Sequence, residues 1–321
     1  MKKILVIQTA FIGDVILATA LLEKLNAFYP ESKIDFLVRN GNESLVKNHP
    51  FINDVLVWQK KEDKYKNLFN LAKKIRKSKY DYVINLQRFM ASGFLTWLSG
   101  AKVKVGFKKN PLSVFYTQKY QHTIGDGQHE VERNQLLIEN ITDKTALKPK
   151  LYPSESNYLK VKGLQLDDNY IVIAPSSVWF TKQVPKSKVI ELINKQAEKS
   201  QICLIGAPSD FEYCESIIRE VTHQNVINLA NELNLLDSAA LIHHAKMNYV
   251  NDSAPLHIAS AMNAPVKAFF CSTVPEFGFG PLSDVSEIIQ NNTQLDCRPC
   301  GIHGHKNCPK GHFKCGLDID L

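Results

Sequence analysis

Short apolar runs alternate with longer stretches of helical spacing along most of the chain. Ile4–Gln8, Ile34–Val38 and Tyr82–Leu86 have the length and composition of buried strands, and a helical stretch follows each of them. A second series of the same kind begins at Ile171 and closes with the apolar run Val266–Phe270. This alternation predicts parallel sheets whose strands are connected by helices.

The alternation is interrupted between Asp143 and Asn169, where Pro, Ser and Gly accumulate with little periodicity. A chain of 321 residues has room for two domains. We therefore predict an α/β fold with two Rossmann-like, doubly wound parallel-sheet domains. The predicted boundaries are 1–150 for the first domain, 151–169 for a linker and 170–321 for the second domain.

Two stretches, Ile4–Leu22 and Tyr249–Ala261, share one pattern: an apolar strand, a tight turn that contains an Asp, and a helix. In open α/β sheets, ligands bind where the carboxyl ends of strands meet the first turns of helices. We therefore expect a ligand cleft with one wall contributed by each half of the chain.

The first of these turns contains Gly13 and Asp14. A glycine there allows a ligand to approach the backbone closely. Asp14 has two interpretations that its position leaves open. It is a residue that caps a helix and suits the positive end of the helix dipole, or it is a general base directed at a substrate.

The second turn contains Asp252 and Ser253, with His257 one helical turn further on. Backbone N–H groups at such a helix start bind phosphate, whereas Asp252 suits a sugar hydroxyl or a helix cap. His257 is either a packed core residue or part of the site. Thr181 and Lys182 precede another predicted helix, where a lysine either neutralises a phosphate or lies free at the surface.

The net charge of +7 is concentrated in residues 60–79, which hold nine Lys or Arg and two acids. Apolar residues recur within this segment at helical spacing, at Tyr65, Leu68, Phe69, Ala72 and Ile75. One interpretation is a helix packed on the core with a solvated basic face. The other is a patch for an anionic membrane surface or an anionic acceptor. Nucleic acid is not an expected partner, because no interleaved aromatic and basic pattern recurs elsewhere.

The sequence lacks the features that are typical of several protein classes. No apolar run approaches the ~20 residues of a spanning helix, and the apolar N-terminal run leads to a Gly-Asp turn, so we expect a cytoplasmic protein. The chain has no Gly-x-Gly-x-x-Gly, no Walker A and no Gly-x-Ser-x-Gly motif. Their absence argues against nicotinamide oxidoreductases, P-loop enzymes and serine hydrolases.

The C-terminal region contains a cluster of four cysteines, Cys297, Cys300, Cys308 and Cys315. Four thiolates suit a tetrahedral structural zinc ion, and reduced thiols in a packed tail are the alternative. Disulfides are not expected in a cytoplasmic protein. The other three cysteines are predicted to lie in the core: Cys203, Cys214 and Cys271.

Six motifs, taken in order, resemble one known family. They are FIGDVILATALLEKLNAFYP at 11–30, NLQ at 85–87, HEVERNQLLIE at 129–139, PSSVWFTKQVP at 175–185, NDSAPLHIASAMNAP at 251–265, and CRPC with CPKGHFKC near the end. Together they resemble the ADP-heptose:lipopolysaccharide heptosyltransferases, glycosyltransferase family 9. The resemblance implies the GT-B fold. It also implies inverting transfer of a heptose from ADP-heptose to a hydroxyl of the lipopolysaccharide inner core. The key turns contain no Asp-x-Asp pair that could hold a metal ion, so we expect that catalysis requires no metal or other cofactor.

The resemblance also implies roles for individual residues. Asp14 matches the proposed catalytic base, Lys182 a lysine at the donor diphosphate, and Asp252 an acid at the donor heptose. Ser253 and the backbone at Ala254 match the phosphate-binding turn, although the family usually has Gly where Ala254 stands. The remaining residues expected near the donor are Gly13, Thr181, Asp210 and His257.

The implied partners are ADP-heptose and a lipid-anchored lipopolysaccharide core acceptor. The basic 60–79 segment then provides a contact with the inner face of the inner membrane, which would make the protein peripheral there. Two alternatives remain open: a GT-B glycosyltransferase with a different nucleotide-sugar or acceptor, and a catalytically silent nucleotide-sugar-binding protein.

Overall fold

The computed structural model describes residues 1–60, 63–197 and 200–321. The chain forms two compact units, Met1–Tyr152 (unit 1) and Pro153–Leu321 (unit 2). Each unit contains one six-stranded parallel sheet, and helices connect most of its successive strands. This confirms the predicted α/β fold with two doubly wound parallel sheets. Among the described residues, no helix combines the length and the hydropathy that crossing a membrane requires.

Unit 1 is built around strand β1. Its strands are β1 (Lys3–Ile7), β2 (Lys33–Arg39), β3 (Ile52–Trp58), β4 (Tyr82–Asn85), β5 (Val103–Phe107) and β6 (Gln118–Tyr120). Its helices are α1 (Ile12–Phe28), α2 (Glu43–Val46), α3 (Lys64–Lys77), α4 (Met90–Leu98) and α5 (Glu130–Gln135). The strand order is β3-β2-β1-β4-β5-β6. The order therefore reverses between β1 and β4, which is where such sheets bind ligands.

The sequence of β1 explains its central place. Ile4, Leu5, Val6 and Ile7 are all fully buried, and β1 pairs in parallel with both β2 and β4. A continuous apolar run, without alternation, suits a strand that is covered on both faces of the sheet.

Unit 2 repeats this plan. Its strands are β7 (Ile171–Ala174), β8 (Ile202–Leu204), β9 (Val226–Asn228), β10 (Met247–Asn251), β11 (Val266–Phe270) and β12 (Ser286–Gln290). Its helices are α6 (Glu155–Lys162), α7 (Lys186–Asn194), α8 (Phe211–Ile218), α9 (Leu235–His244), α10 (Ala254–Met262) and α11 (Lys314–Leu317). The order β12-β11-β10-β7-β8-β9 reverses between β10 and β7.

The segment predicted as a linker, 151–169, contains helix α6. The amide of Asn157 donates to Asp237 Oδ1 at 2.7 Å, and Lys160 Nζ lies 2.9 Å from Asp237 Oδ2. Because Asp237 belongs to α9, these bonds join α6 to the fold of unit 2. Within the HEVERNQLLIE motif at 129–139, helix α5 ends at Gln135 and turns follow it.

Helix α3 confirms part of the pattern in the basic segment. Leu68, Ala72 and Ile75 are buried, as predicted, but Tyr65 is 71% and Phe69 is 55% exposed. The prediction of a stripe that includes both rings is therefore wrong. The buried stripe is completed by Leu71, and the two rings lie at its edge. Lys61 and Glu62 of the basic segment lie outside the described residues.

Candidate active site

Asp14 lies in the first turn of α1, immediately after β1, at the carboxyl edge of the sheet of unit 1. The N-cap residue of α1 is Phe11, and no side chain caps the helix. Gly13 is the second residue of α1, so it lies in the same turn. The sequence stretch thus places a carboxylate at the point where the strand order reverses, as expected.

The pKa of Asp14 is raised from 3.8 to about 6. Loss of water around the carboxylate is the main cause, and the negative charge of Glu130 adds to it. Backbone N–H groups at Phe11 and Asp14 and the charge of Arg88 act in the opposite direction. Burial therefore outweighs the helix dipole, which by itself favours the charged form. A carboxylate with such a pKa is a better base than an ordinary aspartate.

Glu130 begins α5 and is buried. Its Oε2 lies 2.8 Å from Arg133 Nε and 3.2 Å from His122 Nε2. Burial alone would raise the pKa of Glu130, but its bonds with His122 and Arg133 lower it. Glu130 therefore carries a negative charge near Asp14 and disfavours ionisation of Asp14.

Cations come from the carboxyl ends of β2, β3 and β4. Of these strands, β2 and β4 pair with β1, and β3 pairs with β2. Arg39 ends β2, Lys60 follows β3, and Arg88 follows β4. The Arg39 guanidinium lies 4.8 Å from the centre of the Phe11 ring, and its buried Nε has no hydrogen-bond partner in the described part of the chain. Lys60 Nζ donates to Thr9 O at 2.6 Å. We call Arg39, Lys60 and Arg88 the cationic rim.

In unit 2 the corresponding edge carries an ion pair. Lys182 Nζ lies 2.7 Å from Asp252 Oδ2, and Thr273 Oγ1 donates to the same oxygen at 2.7 Å. Lys182 follows β7, Asp252 follows β10 and Thr273 follows β11. The pair therefore lies beside the point where β10 and β7 reverse the strand order. Lys182 is not a free surface lysine, because its side chain is only 15% exposed.

Helix α10 begins immediately after Asp252. Its N-cap residue is Ser253, whose hydroxyl makes no capping hydrogen bond and instead donates to Asn251 O at 3.4 Å. Asp252 does not cap the helix either, because its carboxylate is engaged by Lys182 and Thr273. Ala254 has the negative φ of a helical residue, so no glycine is required there. The helix start keeps the features of a phosphate site.

His257 and Asp210 both belong to unit 2. His257 is buried in α10, with its ring centre 6.5 Å from that of Phe279. Asp210 Oδ2 accepts from Ser176 Oγ and from Ala207 N, both at 2.8 Å. Asp210 therefore ties the loop after β8 to the loop after β7, at the same edge of the sheet.

The Cys-rich tail, residues 297–315, is bonded to the loop that carries Lys182. His305 N donates to Thr181 Oγ1 at 2.8 Å, and Thr181 N donates to His305 O at 3.1 Å. Thr181 is buried, and Ser272 Oγ donates to its hydroxyl at 3.0 Å. A Cβ built on Gly304 would lie 2.9 Å from Lys182 Cγ. The tail therefore supports the position of Lys182.

The predicted core cysteines Cys203, Cys214 and Cys271 are all fully buried, which confirms their assignment to the core. In the tail, Cys297 Sγ lies 3.7 Å from His312 Nε2. Across the described residues, no three His, Cys, Asp or Glu side chains are arranged to hold a metal ion. The zinc site thus stays a prediction from cysteine spacing.

The family profile described as glycosyltransferase family 9 (heptosyltransferase) matches residues 68–310. The chain belongs to this family. It is therefore a glycosyltransferase, and the resemblance noted in its motifs is confirmed.

Two bacterial relatives illustrate the sequence likeness. The chain is 29% identical over 279 residues to lipopolysaccharide heptosyltransferase 3 of Escherichia coli K12, covering 81% of this chain and 80% of the relative. It is 24% identical over 326 residues to a putative glycosyltransferase of Haemophilus influenzae, covering 96% and 92% of the two chains.

Solved structures show the same fold. E. coli ADP-heptose lps heptosyltransferase II superposes with a TM-score of 0.79 at 23% identity, covering 94% of this chain and 96% of that one. E. coli heptosyltransferase WaaC with ADP-2-deoxy-2-fluoro heptose gives 0.70 at 20% identity, covering 89% and 92%. These likenesses confirm the predicted GT-B fold.

Sequence reasoning did not predict the cationic rim or Glu130 as parts of the site. Arg88 was visible next to the NLQ motif, and Glu130 lies inside the HEVERN motif. Each rim residue stands at, or just after, the end of a strand, and that position is a usable signal. Only the strand order β3-β2-β1-β4 shows that these three strands and β1 are consecutive in the sheet.

Proposed function

We propose that this family 9 glycosyltransferase transfers a heptose from ADP-heptose to a hydroxyl of the lipopolysaccharide inner core, with Asp14 as the general base. The observation that carries the proposal is the pKa of Asp14, raised to about 6 at the carboxyl end of β1. Similarity to lipopolysaccharide heptosyltransferase 3 of Escherichia coli supports the choice of substrates.

In the proposed reaction, the oxygen of the acceptor hydroxyl attacks the anomeric carbon of the donor heptose. The bond between that carbon and the diphosphate oxygen breaks, and ADP leaves with the bonding electron pair. The hydroxyl proton passes to Asp14. A single displacement of this kind inverts the configuration at the anomeric carbon. Asp14 acts near neutral pH because its pKa lies just below the working pH.

The leaving ADP gains negative charge, which unit 2 is equipped to stabilise. In the proposal, Lys182 contacts the diphosphate, while the N–H groups at the start of α10, at Ser253 and Ala254, bind its oxygens. Asp252, held by Lys182 and Thr273, accepts a hydroxyl of the heptose. Asp210 lies toward the nucleoside. These fixed charges require no divalent cation, so EDTA should leave the transfer rate unchanged.

The cationic rim indicates an anionic acceptor. Arg39 offers a buried Nε without a partner in the described residues, and Arg88 is close enough to lower the pKa of Asp14. Carboxylate or phosphate groups of an inner core would neutralise such cations. We place the enzyme in the cytoplasm, where this lipid-anchored acceptor is reached at the inner face of the inner membrane through the basic 60–79 segment.

The test is ADP release from ADP-heptose, measured with and without a heptose-free Kdo-lipid acceptor. Wild type is compared with Asp14→Ala and with Asp168→Ala, which removes an exposed Asp of unit 2. We expect wild type to release ADP only when the acceptor is present. Asp14→Ala should release none, although it should still bind ADP. Asp168→Ala should remain active.

Unchanged release in Asp14→Ala would remove Asp14 from the role of base. ADP binding without release from any acceptor would favour a silent binding protein. Stronger thermal stabilisation by UDP or GDP than by ADP would favour a different donor.

A structural zinc ion at Cys297, Cys300, Cys308 and Cys315 is a separate part of the proposal. Its support is the thiolate chemistry of the four residues, because the described side chains are not arranged to hold a metal. Metal analysis of purified protein checks it. We expect about one zinc per chain and its loss in Cys297→Ser with Cys300→Ser, whereas a metal-free wild type would refute the site.

A further inference from the structure

The outer side of α3 continues into a surface of aromatic rings. Phe69 is 55% exposed, and its ring centre lies 5.4 Å from that of Phe94 in α4, edge to face. Phe94 lies 6.4 Å from Trp97, and Trp97 stacks on Phe115 at 4.6 Å. We call Phe69, Phe94, Trp97 and Phe115 the aromatic ladder.

The ladder is open to solvent along most of its length. Trp97 is 40% exposed and Phe115 is 41% exposed, and Val114 beside Phe115 is 70% exposed. Val114 and Phe115 lie in a short 3-10 turn, Ser113–Phe115, in the connection between β5 and β6. Single exposed apolar residues are ordinary, but a continuous row of them marks a surface that contacts a partner.

Positive charge borders the ladder. Lys66 and Lys73 lie three and four residues from Phe69 on α3, so they share its side of the helix, and Lys77 continues the row. None of these three lysines has an ion pair with a described residue. Their neighbours are already engaged: Lys74 pairs with Asp54 at 3.2 Å, and Arg76 donates to Leu98 O at 3.3 Å.

We propose that the aromatic ladder is a membrane anchor, which enters the interfacial region of a bilayer while Lys66, Lys73 and Lys77 contact anionic lipid headgroups. Trp and Phe rings beside lysines are the composition of interfacial anchors, since the rings suit the boundary between acyl chains and water. Each lysine near an anionic surface adds attraction that salt weakens. The inference rests on the proposed function in one respect, because a lipid-anchored acceptor gives the enzyme a reason to dock.

The charge distribution favours a bilayer over a second copy of the chain. Two copies facing each other through this surface would bring two rows of unpaired lysines together, which costs free energy. An anionic bilayer instead neutralises both rows and accepts the rings. The exposed 3-10 turn also suits insertion, because Val114 and Phe115 stand at a loop rather than in a flat face.

The test uses the full chain and vesicles of phosphatidylcholine with and without phosphatidylglycerol. These vesicles contain neither donor nor acceptor, so the result does not depend on heptose transfer. We expect wild type to bind the anionic vesicles, and Trp97→Ala with Phe115→Ala to bind at least about 10-fold more weakly. Leu159→Ala removes a 59% exposed apolar side chain of unit 2 and should bind like wild type.

A charge variant tests the contribution of the three lysines beside the aromatic ladder. Lys66, Lys73 and Lys77 changed to Gln should weaken binding and remove its dependence on phosphatidylglycerol and salt. The matched control changes three exposed lysines elsewhere, Lys33, Lys162 and Lys246, to Gln. This control should keep most of the dependence on anionic lipid, although it has the same net charge.

Trp97 supplies a direct readout of insertion. Lipids with brominated acyl chains should quench wild-type fluorescence, and the quenching should disappear in Trp97→Phe, which retains binding. Transfer to a water-soluble acceptor should be unchanged in the Trp97→Ala, Phe115→Ala variant. Unaltered vesicle binding by this variant, equal quenching in Trp97→Phe, or a dimer that dissociates on Trp97→Ala would each overturn the membrane anchor.

Discussion

Lys182 Nζ and Asp252 Oδ2 lie 2.7 Å apart, and they bring together two loops that follow β7 and β10. The pair keeps the ammonium group of Lys182 at the edge of the sheet, although its flexible side chain would otherwise sample many rotamers. Thr273 Oγ1 completes the arrangement by donating to the same carboxylate oxygen. A cation fixed in this way loses little entropy when a diphosphate binds.

We expect Lys182→Gln to lower kcat/KM for the donor by about 100-fold, because it removes a charge from the leaving diphosphate. Lys186→Gln is the matched control, since Lys186 lies four residues away and pairs with Glu220 instead. Steady-state kinetics and ADP titration calorimetry would measure both variants. Equal effects of the two substitutions would contradict a specific role for Lys182.

The contact between Gly304 and Lys182 gives a second prediction. Gly304 has φ +74° and a built Cβ would meet Lys182 Cγ at 2.9 Å, whereas Gly311 has φ +72° and no atom within 4 Å of its built Cβ. Alanine at either position costs about 1 kcal/mol of backbone strain. Only Gly304→Ala should also displace Lys182, so we expect ADP to bind about 10-fold more weakly to that variant.

Gly311→Ala separates the two effects, because it adds the strain without the contact. Isothermal titration with ADP and thermal unfolding of both variants measure them independently. A loss of ADP affinity that is equal in both variants would show that tail stability, and not the position of Lys182, controls the site.

The sequence predicted the elements that are apolar and buried, and it predicted them well. Strand β11 has the bounds Val266–Phe270 predicted for that apolar run, and all of its residues except Lys267 are buried. It missed β6 and β12, whose residues are half-buried or exposed. Those two strands are defined by their pairing with β5 and β11, and no local apolar run predicts them.

In the candidate site, too, the sequence predicted the local features and missed those that depend on strand pairing. Asp14, Lys182 and Asp252 lie at strand ends where the motifs predicted them, because a strand, a turn and a helix are local features. The cationic rim is assembled from residues about fifty positions apart, Arg39 to Arg88, and depends on the order of β3, β2, β1 and β4. That order follows from long-range packing, which the local pattern does not contain.

The charges around Asp14 predict how activity depends on pH. The base must be ionised, so kcat/KM should rise with pH and level off above an apparent pKa of about 6. Glu130→Gln removes a negative charge and should move this pKa down. Arg88→Gln removes a positive charge and should move it up. If both variants shifted the apparent pKa in the same direction, the rise of kcat/KM with pH would reflect the ionisation of a group other than Asp14.

Asp14 should also lower the stability of the protein. Its pKa is about 6 in the folded state, against the ordinary aspartate value of 3.8 that applies to the unfolded chain. The folded state therefore binds more protons between these values, and stability falls as pH rises from about 4 to about 6. Asp14→Asn should raise the free energy of unfolding by about 1–3 kcal/mol at pH 7.5 and leave it nearly unchanged at pH 4.

Calorimetric unfolding at the two pH values measures this difference, and Asp168→Asn controls for the loss of an exposed acid. A stabilised but inactive Asp14→Asn would indicate that the enzyme keeps a carboxylate in an unfavourable place because the reaction needs it there. If Asp14→Asn were instead less stable at pH 7.5, the N–H groups at Phe11 and Asp14 would outweigh burial. Asp14 would then be a helix-capping residue, and the base would have to be sought elsewhere along the edge.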